Sequence, residues 1–221
     1  MTGILVAGGI VETSFVETVL REEKQAWVIA IDGGLSILRL LNWIPQEIVG
    51  DFDTVSSEVL TWYRQFSQII WQTHKPEKDA TDTELALEAA KQAGCTKIIL
   101  LGATGGRLDH ELSNIQLLNL YSKDAMQVEI LDEKNRITLL RAEESVLAKR
   151  VFCKNKLYGK YVSFVPLSET VSGITLTGFK YPLMKKDITI GSSLCISNEV
   201  VEEEATITFD KGILLCIEAR D

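Results

Sequence analysis

A chain of 221 residues with 46% hydrophobic and 24% charged residues has enough apolar material for a core, which excludes a disordered or low-complexity protein. The length exceeds one average domain and predicts two modest ones. A net charge of -8 without a local basic patch argues against binding to nucleic acid, whose phosphate backbone it would repel. The four cysteines, Cys95, Cys153, Cys195 and Cys216, are widely spaced, so neither a zinc site nor a disulfide framework is expected. The N-terminal residues carry no secretory pattern and no apolar stretch is long enough to span a bilayer, so a cytoplasmic protein without a membrane partner is expected.

In chain order, short apolar runs at Ile4–Ala7, Trp27–Ile31, Glu47–Val49, Gln68–Trp71 and Lys97–Leu101 read as strands. Each is followed by turn residues and a helix-period segment, the grammar of β-α-β units and a parallel sheet. The clearest helix runs from Asp82 to Ala93, with Leu85, Ala86, Ala89, Ala90 and Ala93 on one face and Gly94 to end it. A second begins near Asp109 and reaches Tyr121, with Leu112, Ile115 and Leu118 marking its periodicity. After Lys123 the sequence changes to short runs rich in Val, Ile, Thr, Phe and Tyr: Val128–Leu131, Ile137–Leu140, Tyr161–Val165, Ile174–Leu176, Ala205–Phe209 and Ile213–Ile217. These predict a β-sandwich or barrel-like second domain. The alternation of Thr206–Phe209 followed by Asp210-Lys211-Gly212 predicts a hairpin near the C-terminus. The change of grammar falls between Lys123 and Glu143, and we set the domains at 1–125 and 126–221.

Ligands of an open parallel sheet bind beyond the carboxyl ends of its strands. Three such loops are rich in charge: Gly50-Asp51-Phe52-Asp53-Thr54, Lys78-Asp79-Ala80-Thr81-Asp82-Thr83-Glu84, and the stretch from Gly102 through Gly105-Gly106-Arg107 to Asp109-His110. Asp51 and Asp53 can aim two hard oxygen donors at one cation, although an Asp-x-Asp is by itself also an ordinary turn. Thr81 and Glu84 form a capping box that needs no ligand, which leaves Lys78 and Asp79 unexplained. Gly105-Gly106 admits close approach of a ligand, Arg107 can grip a phosphate with two donors, and Asp109 stands at a helix start. His110 and Asn114 lie one helical turn apart. Gly8-Gly9 reads as a tight turn only, whereas Asp32-Gly33-Gly34 directly after the second strand is placed to meet a nucleotide. Neither a P-loop nor a dinucleotide-binding fingerprint is present.

Taken together these segments resemble the thiamine pyrophosphokinase family. The resemblance rests on Asp32-Gly33-Gly34, on Pro45 followed by Ile48-Val49-Gly50-Asp51-Phe52-Asp53, on Lys78-Asp79-x-Thr81-Asp82-x-Glu84 and on the stretch from Gly102 to Asn114. In the β-rich half it continues through Gly173, Gly178-Phe179-x-Tyr181 and Ser197-Asn198-Glu199. It therefore spans nearly the whole chain. It implies an α/β, Rossmann-like catalytic domain followed by a β-sandwich that binds thiamine, in a homodimer with active sites between subunits. The activity it implies is attack by the thiamine hydroxyl on the β-phosphorus of ATP, with Mg²⁺, to give thiamine diphosphate and AMP. By the same resemblance Asp51, Asp53 and Asp82 look like Mg²⁺ ligands and, with Asp109, the catalytic carboxylates. Asp32, Lys78, Asp79, Thr81, Arg107, His110 and Asn114 look like the nucleotide site, and Tyr181, Ser197 and Asn198 like the thiamine contacts. Two departures from the family pattern stand out: Thr54 where Ser is usual, and Phe179 where Leu is common. Two rivals stay open on sequence alone. Asp51-Phe52-Asp53-Thr54-Val55 also suits the nucleophile loop of haloacid-dehalogenase-like phosphatases. A nucleotide- or thiamine-sensing protein without turnover would use the same acidic loops for binding only.

Overall fold

The computed structural model describes residues 1–73, 79–122, 126–142 and 146–221. The chain divides into two units, Met1–Glu133 and Lys134–Asp221.

The first unit alternates strand and helix: β1 (Thr2–Val6), α1 (Thr13–Glu22), β2 (Trp27–Ile31), α2 (Gly34–Leu40), β3 (Glu47–Gly50), α3 (Ser57–Tyr63), β4 (Ile70–Thr73), α4 (Asp82–Gln92), β5 (Lys97–Leu101), α5 (Leu108–Tyr121) and β6 (Gln127–Leu131). Every pairing among its strands is parallel, in the order β6-β5-β1-β2-β3-β4. Successive strands step outward from β1 to β4, then the chain returns to the other side of β1 for β5 and β6. The order thus reverses between β1 and β5, and in open parallel sheets ligands bind beyond the carboxyl ends of the strands. Helices on the sheet bury both faces of its central strands, so Ile4-Leu5-Val6, Val28 to Ile31 and Ile98 to Leu101 are continuous buried runs.

Two expected strands move. The first begins at Thr2, and the fourth lies at Ile70–Thr73 rather than Gln68–Trp71. β4 is an edge strand with Ile70 half exposed, so its apolar residues do not mark its centre. Gln127–Leu131, expected to open the β-rich half, pairs in parallel with β5 and belongs to the first unit, Met1–Glu133.

α4 begins where the capping signal places it: the Thr81 hydroxyl accepts the Glu84 amide at 3.2 Å. Gly94, at φ 85°, follows its end. Its buried face is Thr83, Ala86, Leu87, Ala89 and Ala90, rotated from the expected one because Leu87 rather than Leu85 points inward. The alanines let α4 pack closely on β1, β2 and β3 and on α5. α5 also turns another face inward, burying Asn114, Leu117, Leu118 and Tyr121 and leaving Leu112 exposed. No helix among the described residues is long and apolar enough to cross a membrane.

The second unit is antiparallel throughout. Its strands are β7 (Asn135–Ala142), β8 (Ala148–Cys153), β9 (Tyr161–Pro166), β10 (Thr170–Thr177), β11 (Leu183–Thr189), β12 (Asn198–Glu199), β13 (Glu204–Phe209) and β14 (Gly212–Ala219). They pair as β7-β14-β9-β12 and as β8-β13-β10-β11. Both groups feed one core, where Phe152, Phe164 and Phe179 meet edge to face at 5.8 to 6.0 Å among Ile174, Ile207 and Leu214. Inward and outward residues alternate strictly along β9 and β13, as one-sided burial requires. The expected C-terminal hairpin does not form. β13 already has β8 and β10 on its two edges, so Asp210-Lys211-Gly212 carries the chain to the other sheet, where β14 lies between β7 and β9.

Candidate active site

The strand-end loops of the first unit are drawn together by backbone contacts that only glycine permits. Gly34 opens α2 so close to β1 that a Cβ there would sit 1.9 Å from the Val6 carbonyl oxygen. Gly102, at φ 65°, presses on the Ala7 carbonyl and accepts the Gly9 amide at 2.8 Å. Gly8-Gly9, read from sequence as a mere turn, therefore ties the loop after β1 to the loop after β5. The sequence signal was the glycine pair itself.

The acidic loop after β3 closes on the loop after β2. Asp32 occupies positive φ (42°) and its amide donates to the Val49 carbonyl at 3.0 Å, fixing it beside the end of β3. Gly50 leaves the strand at φ 152° and Phe52 turns the chain at φ 64°, its ring edge-on to Trp71 at 5.5 Å. The Asp53 amide donates to the Asp51 carboxylate at 3.3 Å. Carboxylate oxygens of Asp32, Asp51 and Asp53 consequently lie within 4.8 Å of one another. One oxygen of Asp32, Oδ2, accepts the Thr54 hydroxyl at 2.8 Å; the other, Oδ1, is buried with no hydrogen-bond partner. Burial pushes the Asp32 carboxyl above the usual range, the hydrogen bonds from Thr54 and the Gly33 amide work against that, and the charges of Asp51 and Asp53 add to it.

Three hard anionic donors and an orphaned buried oxygen fit a divalent cation such as Mg²⁺, which would relieve both the repulsion and the missing partner. Asp51 and Asp53 thus come together as the sequence suggested, while their third companion is Asp32. Asp82, expected to be that companion, is the first residue of α4, half buried and outside the three-carboxylate group. Thr81 is its N-cap, Asp79 is exposed in the preceding bend, and Lys78 lies outside the described residues.

In the loop after β5, Arg107 and Asp109 form a two-pronged pair on the surface, Nε to Oδ1 at 3.1 Å and NH2 to Oδ2 at 2.6 Å. The guanidinium, helped by the His110 amide, holds the Asp109 carboxyl down to about 2. Asp109 is therefore ionised at any pH above that value, and the pair persists through the neutral range. His110 is exposed. Asn114 is buried and donates to the Ala103 carbonyl at 3.0 Å, so it holds the loop from behind. A buried Thr104–Asp132 hydrogen bond of 2.8 Å supports the same loop; no local pattern announces it, because Asp132 arrives from the far end of β6.

In the second unit Tyr181 is exposed, and its backbone is clamped by the buried Asn198 side chain: Asn198 Oδ1 accepts the Tyr181 amide at 3.0 Å and Nδ2 donates to the Tyr181 carbonyl at 2.9 Å. Asn198 Oδ1 also takes the Glu199 amide at 3.0 Å. Asn198 is spent on positioning the Tyr181 loop. Ser197, at φ 56°, anchors its amide on the Ser163 hydroxyl at 2.9 Å.

Residues 20–130 match the family model of the thiamin pyrophosphokinase catalytic domain, and residues 149–214 match that of the thiamin pyrophosphokinase vitamin B1 binding domain. The chain belongs to the thiamine pyrophosphokinase family. A thiamine pyrophosphokinase of Bacillus subtilis (strain 168) is 38% identical over 200 residues, covering 90% of each chain. The crystal structure of the thiamin pyrophosphokinase of Geobacillus thermodenitrificans superimposes with a TM-score of 0.83 at 35% identity, covering all of this chain and 98% of that one. The Candida albicans thiamin pyrophosphokinase shares the fold at a TM-score of 0.80, with 18% identity over 99% of this chain and 88% of its own. All three acidic residues of the cluster, and the Gly102–Asn114 loop, fall in the stretch that matches the thiamine pyrophosphokinase catalytic domain. Tyr181, Ser197 and Asn198 fall in the vitamin B1 binding stretch.

Proposed function

We propose that this chain transfers the diphosphate of ATP to the hydroxyl of thiamine, releasing thiamine diphosphate and AMP. The observation that carries the reading is the convergence of Asp32, Asp51 and Asp53 beyond the carboxyl ends of a parallel sheet, in a chain that matches both domains of one diphosphotransferase family. The first unit then serves as a Rossmann-like nucleotide domain and the second as a β-sandwich that takes thiamine. Asp51 and Asp53, with Asp32 and with Asp82 from the start of α4, would hold Mg²⁺, which when bound offsets negative charge on the diphosphate. Arg107 exchanges its Asp109 partner for a phosphate oxygen, keeping its two-pronged geometry. Lys78, Asp79, Thr81 and His110 complete the nucleotide side, with Asn114 holding the Gly102 loop in place. Catalysis in this arrangement is mainly positioning and electrostatic stabilisation of an in-line transfer.

Tyr181 supplies a flat aromatic surface for the thiamine rings, Ser197 a polar contact, and Asn198 the rigidity of the Tyr181 loop. A homodimer with active sites at the subunit interface, working in the cytoplasm, completes the reading. Incubation with ATP, thiamine and Mg²⁺ followed by mass spectrometry is expected to show AMP and thiamine diphosphate in equal amounts. ADP with thiamine monophosphate, or no turnover, would sink the proposal.

The Asn198 clamp gives a separate expectation. Asn198→Ala strips three hydrogen bonds from buried or half-buried backbone, a loss of about 1–3 kcal/mol in stability. It is expected to raise the thiamine KM about tenfold, equivalent to about 1.4 kcal/mol of binding, with kcat held within about threefold because the acidic cluster lies on other loops. Steady-state kinetics at saturating ATP check this; an unchanged KM would show that the Tyr181 loop does not meet thiamine.

A further inference from the structure

We infer that Thr54 is a positioning residue for the cation site, acting through Asp32. The inference rests on the proposed metal role of the acidic cluster and adds a residue to it. Of the two Asp32 oxygens, the Thr54 hydroxyl occupies Oδ2 at 2.8 Å, so Oδ1, buried and without a hydrogen-bond partner, is the atom left to meet a cation. Asp32 itself is held by its backbone: positive φ, its amide on Val49 and its carbonyl receiving the Leu35 amide at 3.0 Å. What this leaves free is rotation of the carboxylate, and the Thr54 hydroxyl is the side-chain group that sets it.

The two residues sit on different strand-end loops, Asp32 after β2 and Thr54 after β3. Their hydrogen bond therefore also joins the loop that carries Asp51 and Asp53 to the loop that carries Asp32, and keeps the three carboxylates, which repel one another, within 4.8 Å. Partners that orient metal-binding carboxylates change metal affinity by about 10–100-fold when removed. Thr54 is exposed, so loss of its hydroxyl acts on the cluster rather than on the core.

Full-length parent, Thr54→Val and Thr54→Ser proteins are titrated with Mn²⁺ alone, and bound metal is read from the loss of the free-Mn²⁺ electron paramagnetic resonance signal. Thr54→Val, which keeps the shape and loses the hydroxyl, is expected to weaken Mn²⁺ binding about tenfold and to raise the Mg²⁺ concentration for half-maximal turnover in step, leaving the thiamine KM within about twofold. Thr54→Ser, which keeps the hydroxyl, is expected to bind like the parent. In an Asp32→Asn background, Thr54→Val is expected to add no further loss. Parent-like Mn²⁺ binding by Thr54→Val, equal damage from Ser and Val, or additive losses in the double variant would each overturn the inference. A parent protein that itself retains no Mn²⁺ would remove the metal-site reading beneath it, a different failure that takes the inference with it.

Discussion

Asp51→Asn is expected to lower formation of thiamine diphosphate from ATP and thiamine by about a thousandfold, with the far-UV circular dichroism and the melting temperature unchanged. The substitution preserves shape. Asn Oδ1 can still accept the Asp53 amide that Asp51 Oδ1 takes at 3.3 Å, so the turn through Phe52 keeps its local support. Removing one of three carboxylates within 4.8 Å also relieves repulsion, so stability is held or slightly raised. What disappears is one charged donor of the proposed cation site, where a metal would supply several kcal/mol of transition-state stabilisation to the transferring diphosphate. At about 1.4 kcal/mol per tenfold, a loss of about 4 kcal/mol is a factor of about a thousand. Turnover within tenfold of the parent would remove Asp51 from the cation site. Collapse of the fold would make it a turn residue first. The phosphatase alternative, in which Asp51 is a nucleophile, predicts a phosphorylated Asp51 in the parent protein instead, and intact-mass measurement after incubation with ATP separates the two.

The parts of this molecule that were legible in the sequence are those governed by local rules. The central parallel strands announce themselves because burial on both faces produces continuous apolar runs, as in Ile98–Leu101. The start of α4 is legible because Thr81 and Glu84 satisfy a capping rule that operates within one turn. Asp51 and Asp53 are legible as a pair because one loop carries both. The failures of topology involve partners distant in the chain. Nothing local distinguishes Gln127–Leu131 from the antiparallel strands that follow, since its assignment depends on pairing with β5. The Asp210-Lys211-Gly212 turn has the composition of a hairpin, yet prior pairing of β13 with β8 and β10 decides where it leads.

The same division holds in the site. Asp32 was recognisable as a strand-end carboxylate beside two glycines, but its place in the three-carboxylate group is set by the β2–β3 pairing and by Thr54. Asn198 was a substrate contact only as the family resemblance implied; its burial and its two bonds to Tyr181 show a clamp. Arg107 read as a free phosphate ligand, and Asp109 two residues on already fills its fork. For Asp32 and Asn198 the residue chemistry was visible in sequence and the distant partner was not; for Arg107 the partner was adjacent and only its engagement went unread.

Gly34→Ala is expected to produce the largest loss of stability, about 3 kcal/mol, for a substitution that adds one methyl group and favours helix by about 1 kcal/mol in an unconstrained site. The new Cβ would stand 1.9 Å from the Val6 carbonyl oxygen and 2.6 Å from its carbon. Val6 cannot retreat, because β1 is paired on both sides, Val6 facing Ala30 of β2 and Leu101 of β5. The start of α2 must move instead, and the residues immediately before it are Asp32 and Gly33. Stability and activity should therefore fall together: the melting temperature by about 6–12 °C, at about 2–4 °C per kcal/mol for a chain of this length, and Mg²⁺-dependent turnover at temperatures where the protein is still folded. Gly94→Ala is the control. Gly94 carries a conformational demand that Gly34 does not, at φ 85°, but a Cβ there meets nothing within 4 Å, and it ends a helix remote in sequence from Asp32. It is expected to cost about 1 kcal/mol with turnover retained. If Gly34→Ala behaves like Gly94→Ala in both measurements, the contact between α2 and β1 does not set the position of Asp32. If only Gly34→Ala loses turnover while folded, the close approach of helix to strand is what delivers this carboxylate to the cluster.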